Sequence, residues 1–147
     1  MSEHKATIEW ARNGADFGIR NYSRNHVWRY ENGVETPASA APAYLGDPSR
    51  VDPESGFVAT LSSCHMLTFL AVASTKGFVV DSYLDHAVGF LEKNAAGKVA
   101  VTRVELHPKI VFGGEKQPSA TELAAMHDAA HHGCFIANSV TTQVSVV

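Results

Sequence analysis

The chain has 147 residues and a formal net charge of -3, a length that suits one domain with one main core. Hydrophobic residues make up 45% of the chain and charged residues 18%, so it can bury enough apolar surface to fold and is not a generally disordered chain. A mildly acidic surface gives no electrostatic reason to expect nucleic acid or an anionic membrane as a partner. We therefore expect a single domain over residues 1–147.

The compartment is predicted from the N-terminus and the cysteines. The first ten residues contain no apolar run of signal-peptide length, and the most apolar stretch, 57–73, is interrupted by serine, threonine and histidine. We expect a soluble cytoplasmic protein. Two cysteines, Cys64 and Cys134, are too few for a secreted disulfide scaffold, and in a reducing compartment they are expected as thiols unless their chemistry is redox chemistry.

The N-terminal third of the chain has the pattern of short strands followed by a loop. Alternating apolar and polar residues at 6–10 predict a first strand. Residues 27–36 predict a hairpin with its turn at Asn32-Gly33, a preferred two-residue hairpin turn. Four prolines and many small residues predict a loop over 37–53.

A long helix is predicted over residues 53–76. Asp52 is a favourable N-cap, Pro53 suits the first helical position, and Gly77 is a plausible C-terminal stop. The apolar side chains go nearly all the way round this helix instead of forming one stripe: Phe57, Val58, Leu61, Met66, Leu67, Phe69, Leu70 and Val72. Such a helix must be covered on most sides by a sheet, by a partner subunit or by both.

The remaining residues predict a hairpin, a second helix and a last strand. Apolar residues of one parity predict a long hairpin with its turn at residues 93–98: Val80, Leu84, Val88, Phe90, Val104 and Leu106. Ser119 and Glu122 form a capping box for a helix that ends at Gly133. A strand over 141–147 completes an α+β fold, with antiparallel hairpins covering the helices.

The long helix carries a polar patch at its centre, Ser62-Ser63-Cys64-His65. Two serines are poor helix formers, so a local need for polarity is expected there. A free cysteine is most often a small buried hydrophobe. If Cys64 meets Cys134, however, the pair can cycle between sulfenic acid, disulfide and free thiols.

A reactive Cys64 would need a cation to stabilise its thiolate. The residue lies twelve positions past the helix cap, about 18 Å from the N-terminus at 1.5 Å per residue, so the helix dipole is too distant. Candidate cations are the following nearby basic residues: His65, Arg50, His131 and His132. Glu54 precedes Cys64 by ten residues, about 15 Å on a continuous helix, and reaches it only if the helix breaks or another copy of the chain supplies its Glu54.

At these residues the sequence resembles the OsmC and organic-hydroperoxide-resistance (Ohr) proteins, which are thiol-dependent peroxidases. The resemblance rests on Asp52-Pro53-Glu54 at the start of the long helix and on Cys64 ten residues later. It is strengthened by the long hairpin and by Cys134 before the final strand, and it covers nearly the whole chain.

The resemblance implies a function, a fold and a set of site residues. Cys64 would be the peroxidatic nucleophile that reduces organic hydroperoxides to alcohols, and Cys134 would resolve its sulfenic acid as a disulfide. An arginine together with Glu54 would stabilise the thiolate. The fold implied is an intertwined homodimer with antiparallel sheets around long central helices. No metal or bound organic cofactor is implied, and an external dithiol, of lipoyl type or a small thiol, would restore the enzyme.

The activating arginine is the residue that the resemblance does not place. At the position used by the OsmC branch this chain has Ala43. We favour Arg50, which lies closest to the helix start, but three residues nearer the N-terminus stay open as alternatives: Arg20, Arg24 and His26. A further departure is Phe135 after Cys134, where peroxidase members often have proline.

Two alternatives come from other functional classes. His127, His131 and Cys134 supply ligand types that zinc accepts, which would make the chain a metal-binding module. A non-catalytic OsmC-like protein could instead bind an apolar ligand. An apolar wall for either a ligand or an organic hydroperoxide would come from the following residues, which also suit a plain core: Phe57, Leu61, Phe69 and Phe135.

Overall fold

The computed structural model describes all 147 residues, which form eight strands and two α-helices. The strands are β1 (Ala6–Glu9), β2 (His26–Tyr30), β3 (Glu35–Ala38), β4 (Val79–Asp85), β5 (Val88–Lys93), β6 (Val99–Leu106), β7 (Pro108–Gly113) and β8 (Gln143–Val146). The helices are α1 (Pro53–Thr75) and α2 (Ala120–Gly133), with short 3-10 turns at Pro42–Tyr44 and Ala137–Ser139. This is the predicted α+β class.

The chain divides into two compact units, Met1–Gly56 and Phe57–Val147, and the single domain stays a prediction. The first unit contains an antiparallel sheet in the order β1-β2-β3. The hairpin between β2 and β3 turns where predicted, and Gly33 has a φ of +84°, a conformation that glycine adopts without steric cost. The predicted loop begins later than expected, because Pro37 lies in β3 at the edge of the sheet, where proline is tolerated.

Helix α1 is confirmed, and its ends are determined by local hydrogen bonds. The Asp52 carboxylate accepts a hydrogen bond of 2.9 Å from the backbone N–H of Ser55, which satisfies a free donor of the first turn. At the other end Gly77 has a φ of +79° and Phe78 donates its backbone N–H to the Ala73 carbonyl at 3.0 Å. This is a glycine C-cap of the Schellman type.

One stripe of α1 is buried within the chain, and other apolar sides remain open. The buried residues follow a four-residue spacing: Leu61, His65, Phe69 and Ala73. Leu67, on another side, is 62% exposed. Helix α1 is long and apolar enough to cross a membrane, but the core helix of a soluble protein can meet the same criteria of length and composition.

The predicted long hairpin exists, but its arms are bent and longer than expected. The first arm breaks after Asp85, so β4 pairs with β7 and β5 pairs with β6, both antiparallel. A bulge between Val80 and Ser82 reverses the alternation, which leaves Leu84 52% exposed and corrects its predicted place on the buried face. The second arm continues through β7, which the apolar pattern did not predict.

Two clusters of buried side chains form the core of the second unit. The first joins α1 to α2 and the β4-β7 sheet; its buried members are Phe69, Ala73, Phe78, Met126 and Ala130. The second lies between α1 and the β5-β6-β8 sheet and is centred on Leu61, Val104 and Leu106. The predicted last strand forms β8, but it runs parallel to β6, so this sheet is mixed instead of purely antiparallel.

Helix α2 forms with the predicted capping box. The Ser119 hydroxyl accepts from the backbone N–H of Glu122 at 3.2 Å, and the Glu122 carboxylate accepts from the backbone N–H of Ser119 at 2.8 Å. Both bonds satisfy free donors at the helix start. The helix ends at Gly133, as predicted, and Cys134 is its C-cap.

Candidate dithiol site

The structure brings the two cysteines together. Cys64 lies at the centre of α1 and is half-buried, whereas Cys134, the C-cap of α2, is 1% exposed. The two thiols are close enough that Cys64 raises the pKa of Cys134. The Cys134 sulfur also accepts a backbone N–H from Ala137 at 3.4 Å. Residues 70 positions apart in the chain thus form one dithiol.

The environment gives the two thiols unequal access and unequal acidity. Burial raises the pKa of the Cys134 thiol, and the neighbouring Cys64 thiol raises it further. Cys134 is therefore protonated in the reduced protein at neutral pH. The more accessible sulfur, Cys64, is the one that a molecule from solution can meet first.

The helices approach closely beside the dithiol because Gly133 has no side chain. A Cβ atom added there would lie 2.9 Å from Cγ2 of Thr68, on the turn of α1 that follows Cys64. The Thr68 hydroxyl donates to the Cys64 carbonyl at 2.9 Å. Gly133 does not have a positive φ, so it was correctly predicted as the last helical residue, but close packing, not a left-handed cap, is what requires glycine.

A pair of histidines joins the same two helices. His65 is 1% exposed, and its Nε2 is hydrogen-bonded to Nδ1 of His127 on α2 at 3.0 Å. The two rings are stacked, with centroids 5.3 Å apart, and the His127 ring also packs on Phe69 at 4.5 Å. Nδ1 of His65 is buried without a hydrogen-bond partner.

Both histidines of this pair are neutral at pH 7. Burial lowers the pKa of His65 to about 4, and repulsion from His127 and His131 adds to that effect. Burial also lowers the pKa of His127. His65 therefore does not supply a positive charge to Cys64 at neutral pH, which corrects its place among the candidate cations.

The polar patch of α1 has a structural reason at Ser62. Its hydroxyl donates to the Asp85 carboxylate at the end of β4, and the other Asp85 oxygen accepts the backbone N–H of His107 at 2.6 Å. Asp85 thus ties α1 to the bend of the long hairpin, where the strands change partners. The sequence indicated a need for polarity at this patch but not the partner.

Glu54 and Arg50 belong to the first unit, Met1–Gly56. Glu54 lies in the first turn of α1, which is continuous to Thr75, so ten residues separate it from Cys64 by about 15 Å along the axis. Burial raises the pKa of Glu54, the neighbouring Asp52 raises it further, and one carboxylate oxygen is buried without a partner. Arg50 donates to the carbonyl of His26 at 3.1 Å and lies 3.8 Å from Asp47.

Two alternatives from the sequence are not formed. The structure contains no group of three or more histidine, cysteine, aspartate or glutamate side chains that could hold a metal ion, so His127, His131 and Cys134 do not form the zinc site considered as an alternative. Leu61 and Phe69 are packed in the two core clusters instead of forming a ligand wall. Phe135 is 80% exposed.

Comparison with known proteins identifies the family. The family model described as OsmC-like protein matches residues 46–147. An OsmC-like protein of unknown function from Vibrio cholerae O1 biovar eltor is 46% identical, with a TM-score of 0.95 over 100% of both chains. The chain belongs to the OsmC-like protein family.

More distant solved structures share the fold. An OsmC-like protein from Mycoplasma pneumoniae is 16% identical with a TM-score of 0.73, over 99% of this chain and 96% of that one. An organic hydroperoxide resistance protein from Elizabethkingia anophelis is 20% identical with a TM-score of 0.70, over 99% of this chain and 93% of that one. No curated protein sequence matches the chain at a significant level.

Proposed function

We propose that the protein is a cytoplasmic thiol-dependent peroxidase that reduces organic hydroperoxides to alcohols. The observation that carries the proposal is the contact between a half-buried Cys64 and a buried, hydrogen-bonded Cys134. A peroxidase of this kind needs one accessible sulfur that attacks the peroxide and a second sulfur within reach of the first. Family membership and the names of structural neighbours, among them the Elizabethkingia anophelis protein, support the same chemistry.

The proposed reaction runs in three steps. The Cys64 thiolate attacks the distal oxygen of the hydroperoxide; an S–O bond forms, the O–O bond breaks, and the alkoxide takes a proton to leave as the alcohol. The Cys134 thiol then attacks the Cys64 sulfenic acid, so that an S–S bond forms, the S–O bond breaks, and water leaves with the Cys134 proton. An external dithiol, of lipoyl type or a small thiol, reduces the disulfide and becomes a disulfide itself. No bound cofactor or metal takes part.

The division of roles between the cysteines is supported by their surroundings. Cys134 is buried and its pKa is raised, so it is a poor first nucleophile for a peroxide from solution. It needs no access to solvent to attack a sulfenic acid on the sulfur that it already contacts. Cys64 is therefore the proposed peroxidatic residue and Cys134 the resolving residue.

The thiolate is proposed to be stabilised by an arginine, with Arg50 first and Arg20 or Arg24 as alternatives. Arginine keeps its charge at every working pH, whereas the pKa of His65 is too low for it to be charged. Glu54 would orient that arginine. Because about 15 Å of continuous helix separates Glu54 from Cys64 in one chain, a second copy of the chain is proposed to bring its own Glu54 to the site.

Mass spectrometry of the two cysteines tests the proposed function. After one equivalent of cumene hydroperoxide, we expect the reduced protein to lose two mass units as an intramolecular Cys64–Cys134 disulfide, with one equivalent of the alcohol released. The disulfide should reopen with a dithiol. Two free thiols and unconsumed hydroperoxide after this treatment would contradict the proposal.

A homodimer is expected in solution at micromolar concentration. The exposed Leu67 and the other open sides of α1 are apolar surface that a second copy would cover. Sedimentation equilibrium should give about twice the chain mass of 15.8 kDa, and Leu67→Glu should shift the protein toward the monomer. A monomeric wild-type protein under these conditions would exclude a site that depends on the partner's Glu54.

A further inference from the structure

The His65–His127 pair has no part in the proposed chemistry, yet it lies beside the dithiol on the same two helices. His65 directly follows Cys64 on α1, and His127 precedes Cys134 on α2 by seven residues, which is two helical turns. Both imidazoles are neutral at pH 7, so one ring nitrogen donates and the other accepts. The pair is thus a direct polar tie between the helix that carries Cys64 and the helix that ends in Cys134.

Burying this pair has a cost that apolar side chains would avoid. His65 is almost completely buried and one of its ring nitrogens has no partner, and an unsatisfied buried polar group destabilises the folded state. The neighbouring contact of Phe69 with Met126 belongs to an apolar cluster, and such contacts are non-directional. A hydrogen bond between two ring nitrogens, in contrast, needs a narrow range of distance and angle and so restricts the relative position of the helices.

The packing beside the pair is incomplete. The pair borders a cavity of about 190 Å³ that is lined by His65, His127, Asp128, His131 and residues 144–146. Nearer to Cys134, Thr68 of α1 and Gly133 of α2 are already in close contact. The two helices therefore cannot move closer together at that point, but this contact does not prevent them from moving apart. Outward movement of α2 would separate Cys134 from Cys64.

We propose that the hydrogen bond between His65 and His127 positions the dithiol: it holds α2 in register with α1 and so keeps Cys134 within reach of Cys64. The two histidines are positioning residues and touch neither the hydroperoxide nor the reacting sulfurs in this scheme. The inference rests on the Cys64–Cys134 pairing of the proposed function, and it adds the element that maintains that pairing.

A crossed set of amide substitutions tests the proposal. Glutamine places its amide nitrogen near the position of a histidine Nε2, and asparagine places its amide near Nδ1. His65→Gln and His127→Asn should therefore keep the hydrogen bond, whereas His65→Asn and His127→Gln should lose it. All four variants carry a neutral, polar amide. The cost of burying the side chain is therefore similar for the two variants at each position.

The readout is the equilibrium constant for the Cys64–Cys134 disulfide in buffers of reduced and oxidised glutathione. The protein dithiol is oxidised as one glutathione disulfide becomes two thiols, and no hydroperoxide is needed. We expect His65→Asn and His127→Gln to lower this constant about fivefold, which corresponds to the net contribution of one hydrogen bond of about 1 kcal/mol. His65→Gln and His127→Asn should remain within about twofold of wild type.

His132→Asn is the matched control, because His132 is an exposed histidine on α2 outside the pair, and it should leave the constant unchanged. Equal constants for wild type and all four variants would overturn the proposal. The proposal would also be overturned if the same amide, glutamine or asparagine, gave the higher equilibrium constant at both positions, because it expects glutamine to be the better substitute at residue 65 and asparagine at residue 127. If the wild type forms the disulfide in glutathione but consumes no hydroperoxide, the peroxidase proposal fails while this one stands.

Discussion

Cys64→Ser should abolish the consumption of cumene hydroperoxide in the presence of a dithiol, reducing turnover to the rate without protein. A serine hydroxyl is not deprotonated at neutral pH and does not form the sulfur–oxygen intermediate on which the proposed reaction depends. The loss should therefore be complete instead of partial. Hydroperoxide remaining after timed incubation, measured with a colorimetric peroxide assay, is the quantity to compare.

Cys134→Ser is the matched variant, because it removes the resolving sulfur and leaves the attacking one. Without an added thiol reductant, it should consume one equivalent of hydroperoxide per chain and then stop, with a sulfenic acid on Cys64 that a dimedone probe captures. Circular dichroism of both variants checks that they fold. Wild-type turnover by Cys64→Ser would show that the peroxidase assignment is wrong.

Acidification from pH 6.5 to pH 4 should lower the free energy of unfolding by about 3 kcal/mol through His65 alone, because a shift of one pKa unit corresponds to about 1.4 kcal/mol. The folded-state pKa of His65 is about 4, against about 6.5 in an unfolded chain. Between these values the unfolded state binds the extra proton, so stability falls as the pH falls and levels off below about pH 4.

The groups around His65 act in both directions. Burial is the largest cause of the lowered pKa, His127 and His131 lower it further, and Asp85 opposes them. His127 also has a lowered pKa, so its titration adds to the loss of stability as the pH falls below about 6.5. Urea unfolding at pH 7.5, 6, 5 and 4 measures the effect.

His65→Gln separates the contribution of His65 from that of the carboxylates, because glutamine does not titrate. Its loss of stability between pH 6.5 and pH 4 should be smaller than the wild-type loss by about 3 kcal/mol. The difference between the two proteins isolates one imidazole, since every other group is common to both. Parallel stability curves for the two proteins would contradict a buried neutral His65.

The sequence alone determined the features that depend on neighbours along the chain. The ends of α1 follow from Asp52 and Gly77, and the start of α2 follows from the Ser119–Glu122 box, because caps are made by residues three or four positions apart. The turn at Asn32-Gly33 follows from the same local chemistry. The start of the long helix at Asp52-Pro53-Glu54, its spacing to Cys64 and the later Cys134 together indicated the family, which the family model and the Vibrio cholerae structure confirm.

Only the tertiary structure decided which distant residues meet. The contact of Cys64 with Cys134, the bond of His65 to His127 and the bend of the hairpin at Asp85 join residues that no helical or strand period relates. The bulge near Val80 and the parallel pairing of β8 with β6 likewise depend on how the sheets pack. Sequence patterns indicate which face of an element is apolar, whereas packing in three dimensions determines the partner of each buried polar group. The dithiol forms only because this packing brings α1 and the end of α2 together.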